Sequence, residues 1–134
     1  LISAEQDVRH SKKESKRVIY EFCCSPVSEL GKVAEEAGIE CIRLSKDRVD
    51  LSNGPELDKV IDDVRKNPGC HLHCSIPCTV WCTYQDINCR TKGEKFVRRL
   101  VKRRKQSMQL FSNFVRMAKV VREGGGTISF EWPR

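Results

Sequence analysis

Long apolar runs are missing from this chain of 134 residues. Nothing approaches the roughly 20 consecutive apolar residues that a membrane-spanning helix requires. Internal repeats and low-complexity tracts are missing too, which excludes solenoids and biased linkers. The first residue is Leu1 and the stretch behind it is polar, so no signal-peptide pattern is visible. Acidic residues are outnumbered, 18 Asp and Glu against 25 Lys and Arg, for a net charge of +7. That balance suits an acidic partner such as nucleic acid. What remains, 39% hydrophobic and 32% charged residues, is the composition of one soluble globular domain. The chain stops at Pro133-Arg134, directly behind an apolar strand pattern, and is expected to be a fragment of a longer polypeptide.

Cysteine, in contrast, is plentiful. Four of the eight lie in CHLHCSIPCTVWC, at Cys70, Cys74, Cys78 and Cys82. An even number invites a disulfide framework, but such frameworks belong to short, loop-rich secreted chains. Here the cysteines sit inside helix and strand patterns, so a reduced, intracellular protein is expected.

Residues 1–17 hold five Lys or Arg and three acids without apolar period, and are expected to form a disordered arm. An α/β domain is expected over 18–134. Arg17 to Phe22 reads as a strand rich in β-branched and aromatic residues. Ser28 is the N-cap of a helix ending at Gly38, with Leu30, Val33, Ala34 and Ala37 on one face. Residues 39–44 form a second strand, and Arg48–Leu51 a very short third. Asn53-Gly54-Pro55 then opens a helix striped by Leu57, Val60, Ile61 and Val64 and stopped at Asn67-Pro68-Gly69. Residues 70–76 make a fourth strand. A long helix covers 94–123, with Phe96, Val97, Leu100, Val101, Met108, Phe111, Phe114, Val115, Ala118 and Val121 as its core side. Gly124-Gly125-Gly126 ends it, and Thr127–Trp132 is a fifth strand.

This alternation predicts a three-layer, Rossmann-like α/β fold around a mostly parallel sheet, truncated at its C-terminal side. Ligands of such sheets bind beyond the carboxyl ends of the strands. The loops 23–29, 45–50, 77–89 and 131–134 are therefore the ones to watch, and Cys78 and Glu131 share their rim.

Three uses compete for the cysteines and histidines. A metal site needs converging ligands, yet side chains along a strand alternate faces. Cys70 and Cys74 should point one way and His71 and His73 the other, so no metal ligand is assigned. Cys41, Cys70 and Cys74 read as small buried hydrophobes, and the two histidines as hydrogen-bonded residues of the sheet. Cys78 stands apart: it lies past the strand, follows Pro77, and can present a reactive thiol.

IPCTVWC, followed by Gln85 and Asn88, resembles the proline-cysteine loop of DNA cytosine-5 methyltransferases, particularly the divergent domains found in retroelement-like polyproteins. Phe22 through Leu30-Gly31 is similar to the family's first strand and cofactor loop. Asp50-Leu51 resembles the Asp-aliphatic pair after its third strand, and Glu131 in FEWPR the glutamate ending its fifth. The resemblance covers residues 18–134. It implies S-adenosylmethionine as cofactor, with Phe22, Cys24, Ser25, Asp47, Asp50 and Pro77 on the cofactor side. Asp47 is the candidate for the acid on the cofactor ribose, with a solvated loop carboxylate as the alternative. It further implies DNA as partner and a flipped cytosine as target. Cys78 would add to C6 and Glu131 would hydrogen-bond the ring nitrogen and exocyclic amine. The activated C5 would then take the methyl group, and a base would remove the C5 proton. The alternatives are a non-catalytic nucleic-acid-binding or polyprotein-assembly module, and a Cys/His metal-binding module.

Arg98, Arg99, Lys102, Arg103, Arg104 and Lys105 form a basic block on the long helix. It reads either as the solvated outer face of a sheet-covering helix or as a phosphate-contacting surface. Trp81 and Trp132 are candidates to stack on a base, or to pack in the core.

Overall fold

A computed structural model describes residues 17–131. The expected arm, apart from Arg17, and Trp132 lie outside the described residues. Four strands, β1 (Val18–Cys24), β2 (Glu40–Ser45), β3 (His71–Cys74) and β4 (Thr127–Phe130), form one all-parallel sheet in the order β2-β1-β3-β4. The helices between them are α1 (Glu29–Glu36), α2 (Gly54–Arg65), α3 (Tyr84–Thr91) and α4 (Glu94–Glu123). Chain direction across the sheet reverses after β2, which makes the gap between the ends of β1 and β3 the topological switch point. The α/β class and the parallel sheet match the reading of the sequence.

Local signals account for the helix starts. Ser28 caps α1 by accepting the Gly31 N–H, and Asn53 caps α2 by accepting the Glu56 N–H, with Pro55 in the first turn. Tyr20, Phe22, Leu72 and Cys74 share one face of the sheet, where Leu57, Ile61 and Val64 of α2 and Phe114, Met117 and Val121 of α4 seal them from solvent. Each fully buried large side chain contributes about 1.5–3 kcal/mol. Phe22 and Phe114 meet edge to face at 5.5 Å. Tyr20 donates to Asp63 at 2.6 Å and accepts from Asn67, which ties the polar tip of a buried ring to α2. Gly126 is required where α4 turns into β4, because a Cβ there would strike the Cys70 carbonyl and Val121.

Three expectations need correction. Arg48–Leu51 is no strand: Lys46–Arg48 and Leu51-Ser52 are turns, Leu51 goes into the core and Val49 packs against it. The segment is too short and its Asp50 too strongly tied to Ser52 to extend a ladder. The 77–89 loop is largely helical, with a 3₁₀ turn at Thr79–Trp81 followed by α3. On α1, Val33 and Ala37 face solvent, leaving Ala34 and Gly31 as its buried positions.

The fourth correction concerns α4. Leu100, Phe114 and Val121 are buried as read, but Val101 is 46% exposed, Met108 56% and Phe111 40%. Met117 and Asn113, absent from that reading, are buried instead. The cause is length. Phe111 and Phe114 already stand at the carboxyl ends of the strands, against Phe130 and Phe22. Val121 lies at the opposite end, beside Cys70 and Gly126. Everything before residue 111, about 25 Å of helix at 1.5 Å per residue, overhangs the sheet, braced by the 3₁₀ turn and α3. Apolar residues there have no sheet beneath them.

Candidate functional site

The carboxyl rim gathers the loops after β1, β2 and β3 and the end of β4. Cys78, half-buried, caps the 3₁₀ turn, its carbonyl accepting the Trp81 N–H at 2.8 Å. Two residues clamp this loop. Gln85, buried in α3, donates to the Thr79 carbonyl at 2.9 Å and accepts from Asn88. Arg104 reaches from α4 to the Val80 carbonyl, also at 2.9 Å. Pro77 is exposed beside them. The sequence reading quoted Gln85 for the resemblance, but had no signal for Arg104 as a clamp.

Glu131 continues β4 one residue past its end, its N–H donating to the Cys74 carbonyl at 2.9 Å. Since Cys74 pairs with Phe130, Glu131 and the loop carrying Cys78 leave neighbouring parallel strands on the same side of the sheet. The Glu131 carboxylate is exposed, 3.5 Å from the Ser75 hydroxyl and 3.7 Å from His73 Nε2. His71 and His73 point away from the core, opposite Cys70 and Cys74, as the alternation predicts. Both are hydrogen-bonded to Ser129, and His71 also to Thr127. Burial, with His73 nearby, holds His71 below the ordinary imidazole range. Among the described residues no three Cys, His, Asp or Glu side chains converge as a metal site.

The remaining candidates scatter. Asp47 and Asp50 are exposed in the turns after β2, and hydrogen bonds from Ser52 hold the Asp50 carboxyl below its usual range. Ser25 is exposed, its hydroxyl accepting the Val27 N–H. The Phe22 side chain is sealed in the core and offers nothing to a ligand. Cys24 lies half-buried near Glu21 and Cys41, its thiol pushed up to about 11 by burial and by the Glu21 charge. Cys23 sits at a bulge with φ of 60°, in the left-handed region that favours glycine, and packs against the core cluster.

These positions do not fit a cradle for S-adenosylmethionine. A cofactor loop of this kind brings backbone close to the ligand and needs glycines; here Cys24, Pro26 and Val27 occupy it, and Pro26 has no N–H to donate. The start of α1 is filled by the protein itself. Ser28 Oγ donates to buried Glu21 at 2.5 Å while accepting from Gly31 N and from Arg43 Nε at 3.0 Å. The Arg43 guanidinium also reaches the Ser28 carbonyl at 3.1 Å, and it lies so close over Gly31 that a Cβ there would collide with it. No signal in the sequence pointed to this Glu21-Ser28-Arg43 plug, because it joins β1, the α1 cap and β2 through space.

Comparison with protein-family models, with characterised proteins and with solved structures finds no match for this chain.

Proposed function

We propose that this chain is a DNA cytosine-5-methyltransferase-like domain of degenerate type: it engages cytosine-containing DNA through the rim of its sheet and has closed the place of the methyl donor. One observation carries the reading. A thiol behind proline, Cys78, and a carboxylate, Glu131, come from adjacent parallel strand ends beside the topological switch point. The Rossmann-like order of elements supports it, as does the clamping of the Cys78 loop by Gln85 and Arg104. The filled α1 start argues against methyl transfer.

The chemistry left to such a rim is reversible addition. Cys78 Sγ bonds to C6 of an unpaired cytosine as the C5–C6 double bond opens, and solvent supplies a proton to C5. Glu131 hydrogen-bonds the ring edge and stabilises the charge that develops there. Return of the C5 proton to solvent with expulsion of the thiolate restores the C5–C6 double bond and the base.

A DNA oligonucleotide with 2-pyrimidinone replacing one cytosine tests this, because that ring accepts a thiolate at C6 more readily. We expect a crosslink that survives denaturing electrophoresis, disappears in Cys78→Ala and weakens at least tenfold in Glu131→Gln. Calorimetry with S-adenosylmethionine at millimolar concentration should show no binding. A crosslink that persists in Cys78→Ala, or none with the wild-type protein, overturns the reading; measurable cofactor binding overturns its degenerate part.

A further inference from the structure

The overhanging half of α4 is chemically unlike the rest of the molecule. Between Lys95 and Lys105 it carries seven Lys or Arg, and no acid occurs in the helix between Glu94 and Glu123. Like charges face one another one turn apart at Lys95 and Arg99, Arg98 and Lys102, and Arg99 and Arg103. Each such pair works against the helix. One ion pair, Arg98 with Glu94 at 3.5 Å, relieves the block; Arg99, Lys102, Arg103 and Lys105 make none among the described residues.

Beside this block lies an apolar opening. A cavity of about 430 Å³ is lined by Trp81, Val101, Arg104, Lys105, Met108 and Gln109. Its aromatic wall is held in place: Trp81 Nε1 donates to Ser107 at 2.9 Å, and the Arg104 guanidinium sits 5.2 Å from the ring centroid while Nε is anchored on the Val80 carbonyl. Trp81, Val101 and Met108 are all exposed, which is unusual for side chains of this kind grouped at one spot. One hydrogen bond from the ring and one that anchors the guanidinium beside it orient a side chain that the core cluster does not include.

We propose that this half-helix and Trp81 form a binding surface for an unpaired stretch of nucleic acid, with one base seated against Trp81 in the cavity and the phosphates following Arg98, Lys102 and Lys105, which flank the cavity at about 100° per residue. The charge alone would suit any polyanion. The oriented aromatic and the apolar floor select one with flat, apolar faces, and Gln109, whose Nε2 donates to Asn113, offers its amide oxygen to a base edge. A paired duplex presents only its backbone here and would leave Val101 and Met108 uncovered. The surface adjoins the Cys78 loop, since the Trp81 N–H donates to the Cys78 carbonyl and Arg104 holds the Val80 carbonyl, but it uses neither Cys78 nor Glu131. It takes only the identity of the polymer from the function proposed above, not the thiol chemistry.

Fluorescence anisotropy with a labelled twelve-residue oligothymidylate tests it on the full chain. The affinity should fall linearly with the logarithm of salt concentration and exceed that for a duplex of equal length at every salt. Trp81→Ala should weaken binding about 5- to 100-fold. Lys102→Glu with Lys105→Glu, both exposed and free of structural bonds among the described residues, should flatten the salt slope by about 1.4, at roughly 0.7 per phosphate. Oligothymidylate carries no cytosine for the Cys78–Glu131 rim to act on, so failure of the rim chemistry and failure of this surface are told apart. Unchanged affinity in both surface variants overturns the proposal. So does duplex binding equal to single-strand binding, or retention on phosphatidylserine vesicles without oligonucleotide binding.

Discussion

Individual cysteines here have divergent fates, and burial decides among them. Cys74 is sealed in the core and Cys23 packs against it; burial pushes both thiols up to about 12. Cys82 is exposed and Cys78 half-buried on the rim. Iodoacetamide at neutral pH should therefore alkylate Cys82 and Cys78 in the native protein and reach Cys23 and Cys74 only after unfolding, as read by peptide mass mapping. Native labelling of Cys74 as fast as Cys82 would contradict the packing. The sequence made the inward turn of Cys70 and Cys74 legible, because strand alternation is a local rule. It could not show the left-handed φ at Cys23 or the plug of Glu21, Ser28 and Arg43, since their partners are set by register between β1 and β2.

Helix α4 shows what periodicity can and cannot say about an element. Its boundaries were legible: Glu94 to Glu123, ended by glycines. Its buried face was legible at Leu100, Phe114 and Val121 but not at Val101, Met108 and Phe111, which stand exposed. A 3.6-residue apolar repeat announces a face that favours burial and says nothing of whether a layer is present to bury it. The two halves should differ in stability. Hydrogen exchange should find amides of Phe114 to Val121 among the slowest in the molecule, and those of residues 95–105 exchanging at least tenfold faster, since they are braced only by the 3₁₀ turn and α3. Equal protection along the helix would mean that the overhang is packed more firmly than its contacts indicate.

Across the whole molecule the two faces of the sheet are unequal. One is sealed by α2 and α4; the other carries Glu21, Cys41, Arg43, His71, His73, Thr127 and Ser129, with α1 near β2. Parallel sheets are ordinarily covered on both sides, and the hydrogen-bonded row His71-Ser129-His73 is what keeps the polar part of this one satisfied. Stability should respond to pH accordingly. His71 has its folded pKa below the ordinary 6.5, so under acid conditions the unfolded chain binds a proton that the folded one resists. Its contribution is intact above about 6.5 and is lost as pH falls below it. Urea unfolding should show a lower midpoint at pH 5.5 than at pH 7.5, and His71→Gln should reduce the difference. A midpoint that rises on acidification would refute the assignment.

The sequence by itself determined the α/β alternation, the helix caps, the strand faces and the order in which Cys78 and Glu131 appear, because each rests on contacts within a few residues. The tertiary structure decided the rest. It brought Glu131 and the loop carrying Cys78 out of neighbouring strands, kept Arg48–Leu51 out of the sheet, filled the α1 start with Arg43, and ran α4 past the sheet so that a basic, aromatic surface stands open. Each of these depends on how far one element extends relative to another, a distance through space that no local pattern encodes.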